Sequence, residues 1–454
     1  MEKTSGFRRL GALLLGLALA LPAAATDVHE YRLDNGMKVL VLPDHRAPVA
    51  VSQVWYRVGS SSEASGITGI SHVLEHMMFK GTERHPAGEF SRIIAANGGE
   101  ENAFTGRDYT SYYQFLGSDR LAIAFELEAD RMRHLTLPEK EFKKEVEVVK
   151  EERLMRTDDQ PEALTFERFN AAAWFNSPYR FPVIGWMEDL NQLTVADLRQ
   201  WYDRWYQPNN ATLVVVGDVE PDAVFALARR HFGAIPPGKV VPVKPRREPR
   251  QHGPRRIRIR APAKVPYLIM GYHVPSLKTA GEDDWEPYAL DVLANVLDGG
   301  DSARLSRELV RRQEVAAAAG AGYNLSAKYD TLFLLDANPA QGHDLAEVEA
   351  ALLAQVERLR EALVSPEELA RVKAQVIADD VYQRDSIRRQ AITIGILDTV
   401  GLDWRLMDEY VPRIKAVTAE QVRAVARKYL VDDNRTVAEL VPLPVDDKQA
   451  KETP

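Results

Sequence analysis

The chain has 454 residues, 45% apolar and 27% charged, with no cysteine and a formal charge of −8. One hydrophobic core seldom serves that length, so two or more domains are expected. The absence of cysteine excludes disulfides, thiolate metal ligands and a cysteine nucleophile, leaving His, Asp and Glu to hold any metal; the acidic balance disfavours nucleic acid as the main partner.

Residues 1–25 carry Arg8 and Arg9, an apolar run from Leu10 to Leu21 and the small residues Ala23-Ala24-Ala25. This pattern reads as a secretory signal cut after Ala25, and the apolar run is shorter than the roughly 20 residues of a membrane span. Removing it deletes Lys3, Arg8 and Arg9 against Glu2 and takes the charge from −8 to about −10. The mature chain is expected to be exported to the periplasm and soluble, with no membrane span.

Residues 26–235 mix strand-like runs, "MKVLVLPD" and "VAVSQVWYRVG", with helical runs such as "GEFSRIIAANGG", "DRLAIAFELEADRMRHL" and "EKEFKKEVEVVKEERLMR". Such a mixture predicts an α+β domain with helices covering a sheet. A proline-dense, basic stretch around residues 236–260 reads as an extended linker. Residues 261–445 form a second α+β domain, and 446–454 a polar tail. "LTVADLRQWYDRWYQPNNATLVVV" from Leu193 aligns without a gap on "VTAEQVRAVARKYLVDDNRTVAEL" from Val417, so Thr194 meets Thr418, Trp205 meets Tyr429 and Asn210 meets Asn434. A constant offset on either side of a linker points to duplication, each copy being a Thr-capped amphipathic helix, a polar turn and a strand.

"SHVLEHMMFKGT" places His72, Glu75 and His76 on one side of a helix, because positions i, i+3 and i+4 are neighbours. Two imidazoles so placed can bind one metal while the carboxylate takes a proton from a water; alternatively they belong to an ordinary core helix. With cysteine absent, a carboxylate is the natural third ligand. On the helix "EFKKEVEVVKEERLM", a turn of ~100° per residue puts Glu145 and Glu152 on the apolar arc of Phe142, Val146, Val148 and Val149. Glu147 and Glu151 fall on the opposite, solvated face. Buried carboxylates need a metal or a cation, so a pair of structural salt bridges is the competing reading for Glu145 and Glu152.

"HVLEH" followed by "EVEVVKEE" resembles the H-x-x-E-H signature of the pitrilysin and insulinase (M16) zinc metallopeptidases, the inverzincins. The resemblance runs through "YRLDNGMKVLVLPD", "ENAFTGRDYTSYY" and "SPYRFPVIGWMEDL", and its length is closest to short two-domain members similar to the mitochondrial processing peptidase β subunit. It implies two homologous domains enclosing a chamber, and one Zn2+ per chain held by His72, His76 and Glu152. It implies further that Glu75 is the general base, that Glu145 supports the site from behind, and that Asn102 and Ala103 lie on an edge strand that binds a peptide substrate. The reaction expected is endopeptidase hydrolysis of peptides or small unfolded polypeptides; a non-catalytic assembly subunit of the same family is the alternative.

One part of the pattern is missing. Active single-chain members carry an arginine and, seven residues later, a tyrosine in the second half. Alignment on "SARL" puts Val310 and Ala317 there, and neither side chain can donate a hydrogen bond to an oxyanion. The expectation is a hetero-oligomer, with a homologous subunit that lacks H-x-x-E-H and supplies the arginine and tyrosine.

Overall fold

Among the described residues, six strands form the first sheet: β1 His29–Arg32, β2 Lys38–Pro43, β3 Val49–Tyr56, β4 Glu100–Thr105, β5 Thr110–Gly117 and β6 Ala211–Gly217, in the order β1-β2-β6-β3-β5-β4. The computed structural model describes residues 27–444 except Pro242 and Asp283. The expected signal 1–25 and tail 446–454 lie outside the described residues. Five strands of the described residues form the second sheet: β7 Arg255–Pro262, β8 Tyr267–Val274, β9 Ala316–Gly322, β10 Thr331–Pro339 and β11 Arg435–Leu443, in the order β7-β11-β8-β10-β9.

The two sheets share one topology. β2 runs parallel to β6 as β7 does to β11, and every other neighbouring pair is antiparallel. Among the described residues, β1 is the strand without a counterpart. Thr194 and Thr418 each close a capping box on the helices Val195–Trp205 and Ala419–Tyr429, which lead through single 3-10 turns into β6 and β11. The duplication read from residue identities is therefore a duplication of structure, and the chain consists of two homologous α+β domains.

Each domain lends a helix to the other's sheet. The helix Ile387–Val400 packs Ala391, Ile394 and Leu397 against Val51, Trp55, Val214 and Val216 on the outer face of the first sheet. β3 and β6 are thus buried on both faces, which is why they read as nearly continuous apolar runs. Reciprocally, the helix Pro161–Ala173 sets Phe169 and Ala173 against Ile269, Leu332 and Ala438 of the second sheet. Both contacts need a glycine: a Cβ on Gly395 would lie 2.0 Å from Trp55, and one on Gly271 2.8 Å from Phe169. Asp398 bolts the first of these helices down, accepting from Lys38 Nζ at 2.6 Å, Arg57 Nη2 at 2.5 Å and Thr212 Oγ1 at 2.6 Å. The halves close on each other as a clam-shell.

The segment expected to be a linker is extended but anchored. Glu248 accepts from the backbone N–H groups of Phe175, Asn176 and Ser177, and Arg246 donates to the carbonyls of Ser61 and Glu63. β7 starts at Arg255, within that segment. Its Ile257 and Ile259 face inward between exposed Arg256, Arg258 and Arg260, a period-2 strand hidden in a run of basic residues.

Candidate metal centre

The motif helix Ile70–Met77 begins at Gly69, whose φ of 85° is left-handed and whose absent Cβ would meet the Ile184 carbonyl oxygen at 2.7 Å. Glu63 caps the helix, its carboxylate oxygens accepting from the N–H groups of Gly69 and Ser71 at 2.8 and 3.0 Å. Burial pushes the Glu63 carboxyl up to about 7 against those two bonds.

This rigid start aims His72, Glu75 and His76 into one cavity of about 950 Å³, which Asn102, Ala103 and Glu152 also line. His72 Nε2 and His76 Nε2 lie 3.7 and 3.5 Å from the same Glu152 oxygen, and one ligand atom from each of the three residues falls within 4.8 Å of the others. Burial, helped by His76 and Arg156, pulls the His72 imidazole down to about 3, so it is neutral and one of its two ring nitrogens carries a lone pair able to ligate. Burial raises the Glu75 carboxyl, opposed by a 2.5 Å bond from Thr105 Oγ1.

Glu145 does not line the cavity. It stands behind His76, its Oε2 3.2 Å from Nδ1, and pairs with Lys80 Nζ at 2.7 Å through the other oxygen. Glu152 pairs with Arg156 at 2.9 Å. Glu147 and Glu151 are exposed. Val148, assigned to the apolar arc, is 47% exposed, because the buried stripe centres nearer Val149 and Val146 and leaves Val148 at its rim. β4, with Asn102 and Ala103, is an edge strand: the Ala103 N–H points away from β5 and is taken by Asn102 Oδ1 at 2.8 Å.

Two imidazoles and a carboxylate converging on one point form a donor set that suits zinc better than hard, oxygen-seeking cations. Known families agree. Residues 38–185 match the family described as Insulinase (Peptidase family M16), and residues 192–376 match Peptidase M16 inactive domain. The zinc protease PqqE of Helicobacter pylori is 31% identical over 97% of this chain and 99% of its own length. The chain belongs to peptidase family M16. A crystal structure of a protease from Helicobacter pylori superposes on this M16 chain with a TM-score of 0.87 at 30% identity, covering 92% of this chain and all of that one. The periplasmic protease PqqL from Escherichia coli has the same fold, with a TM-score of 0.75 at 19% identity over 94% of this chain and 48% of that one.

Among the described residues, the second M16 domain adds no side chain to this cavity. Val310 packs half-buried against the second core and Ala317 is exposed on β9, the other sheet's edge. Arg311 and Arg312 turn back to the Asp301 carbonyl and to Glu308. Thr105, Arg107 and Arg156 also line the cavity and are not marked in the sequence, because single polar residues in a strand end, a turn or a helix end carry no periodic signal. Among the described residues no helix is long and apolar enough to cross a membrane.

Proposed function

We propose that this M16 chain is a zinc-dependent endopeptidase acting on peptides or small unfolded polypeptides in the periplasm, with His72, His76 and Glu152 as ligands and Glu75 as general base. The observation that carries the reading is the convergence of those three ligand atoms in a cavity that also holds the Glu75 carboxylate. Zinc there would supply Lewis acidity, acidifying a water and polarising a peptide carbonyl.

The protein's own groups do the rest. Glu75, made more basic by burial, takes the proton of the attacking water and returns it to the leaving amine, while Thr105 fixes its orientation. Glu145 holds the His76 ring by its second nitrogen. The free side of β4 offers backbone groups to an extended peptide, which would replace the Asn102 side chain on the Ala103 N–H. The signal-like residues 1–25 support export, in keeping with the periplasmic PqqL of the same fold.

Val310 and Ala317 leave the cavity without the second-half arginine and tyrosine. A homologous subunit that lacks H-x-x-E-H and carries those residues, as in the division of labour of the mitochondrial processing peptidase, would complete it. Glu75→Gln should retain zinc and lose peptide cleavage; a variant that still cleaves refutes the assignment. Cleavage by the purified chain alone as fast as with any companion subunit refutes the partner.

A further inference from the structure

Arg107 sits where the zinc-site cavity meets a second cavity of about 380 Å³ between the domains, and it lines both. The turn that presents it is fixed on all sides. Ser61 N–H donates to the Arg107 carbonyl at 2.7 Å, and a Cβ on Gly59 would collide with the Gly106 carbonyl oxygen. The neighbouring Asp108 accepts from Ser61 Oγ at 2.7 Å and from the Tyr179 hydroxyl.

The Arg107 guanidinium itself is half-buried and has no carboxylate within ion-pair distance among the described residues. It donates to Asn170 Oδ1 at 3.0 Å and lies 5.2 Å from the centre of the Tyr179 ring. The acids around it are committed elsewhere: Glu75 to Thr105, Glu152 to Arg156, Glu167 to Arg153 and Asp108 to Ser61 and Tyr179. Arg180 on the same cavity wall also lacks a carboxylate among the described residues, donating to the Phe175 carbonyl at 3.2 Å. Desolvating a charge without a counter-ion is costly, and a fixed guanidinium is a ready fork for a carboxylate.

We infer that Arg107 binds a carboxylate of the peptide substrate, from an acidic side chain or from the C-terminus, and sets a preference for anionic peptides. The inference rests on the peptidase reading, and its test separates the two. Binding is read by fluorescence anisotropy on the zinc-loaded full chain carrying Glu75→Gln, with four N-terminally labelled peptides of one sequence. They carry an internal Glu or Gln, each with a C-terminal acid or amide.

A carboxylate peptide should bind on the order of tenfold tighter than the fully neutral one, the scale of a hydrogen bond to a charged group. The internal and terminal comparisons identify which carboxylate is held. Adding Arg107→Gln should collapse the ratio to about one, and Arg107→Lys, which keeps the charge but not the fork, should keep part of it. Equal affinity for all four peptides, or an unchanged ratio in Arg107→Gln, overturns the inference. Failure of the chain with intact Glu75 to cleave any peptide, with a companion subunit or without one, would refute the peptidase reading instead, while the binding ratios still decide Arg107.

Discussion

Replacing Glu145 probes how the metal centre is held from behind. Carboxylates that orient a ligating histidine are worth roughly 10- to 100-fold in metal affinity. Glu145 touches one of the three ligands, at 3.2 Å, and shares its charge with Lys80 at 2.7 Å. Glu145→Gln keeps an oxygen acceptor for the His76 ring, so its effect belongs at the low end, about tenfold or ~1.4 kcal/mol. Glu145→Ala leaves His76 Nδ1 without a partner and Lys80 without its counter-charge, and the loss should approach about a hundredfold. Lys80→Met has the opposite sign: it leaves the whole Glu145 charge to His76, so zinc binding should hold or tighten. Competition against a chromophoric zinc chelator measures all three, with thermal melts of the zinc-free proteins as a control for folding. Zinc binding by Glu145→Ala within about twofold of the parent, with an unchanged melt, would refute the reasoning.

Asp398→Asn should weaken the clasp between domains by about 2 kcal/mol at pH 7, below the usual cost of breaking a buried pair because Lys38 and Arg57 keep some solvent contact. Burial raises the Asp398 carboxyl, but Arg57 and Lys38 outweigh it and the folded value lies below 3.8. The stabilisation is therefore fully present above the unfolded carboxyl's ~3.9 and lost as pH falls through the folded value. Urea midpoints of the two proteins should differ constantly above about pH 5.5 and draw together as pH drops through about 4; a gap that does not narrow contradicts the network. Gly395→Ala puts a methyl 2.0 Å from the fully buried Trp55, whose Nε1 is tied to Gln53. A loss of about 3 kcal/mol is expected, and a melt within error of the parent would show that the interdomain helix yields easily.

Local periodicity explains what was legible in the sequence. His72, Glu75 and His76 share a face because helix geometry alone brings i, i+3 and i+4 together, and Thr194 and Thr418 announce their helices because a cap is a contact over three residues. Helical periodicity puts Glu145 and Glu152 on one arc of a helix but also includes Val148, which is exposed, since a helical wheel fixes the stripe but not which part of it meets a neighbour. β7 escaped because alternation in Arg-Ile-Arg-Ile-Arg is overshadowed by the prolines before it.

By itself the sequence determined the elements that rest on neighbours in the chain: two copies of a helix-turn-strand unit, a motif helix with two imidazoles and a carboxylate on one side, and a distant helix with two inward acids. Periodicity left Glu145 and Glu152 equivalent on one arc and family resemblance alone set them apart; the tertiary structure brings Glu152 to both histidines and Glu145 behind one. It alone exchanged the helices of Phe169 and Gly395 between the domains and left Arg107 facing the cavity without a counter-ion among the described residues. The physical reason is that capping and amphipathic periodicity are encoded within a few residues, whereas the partner of a buried charge is chosen by chain closure over tens to hundreds of residues, which no local pattern records.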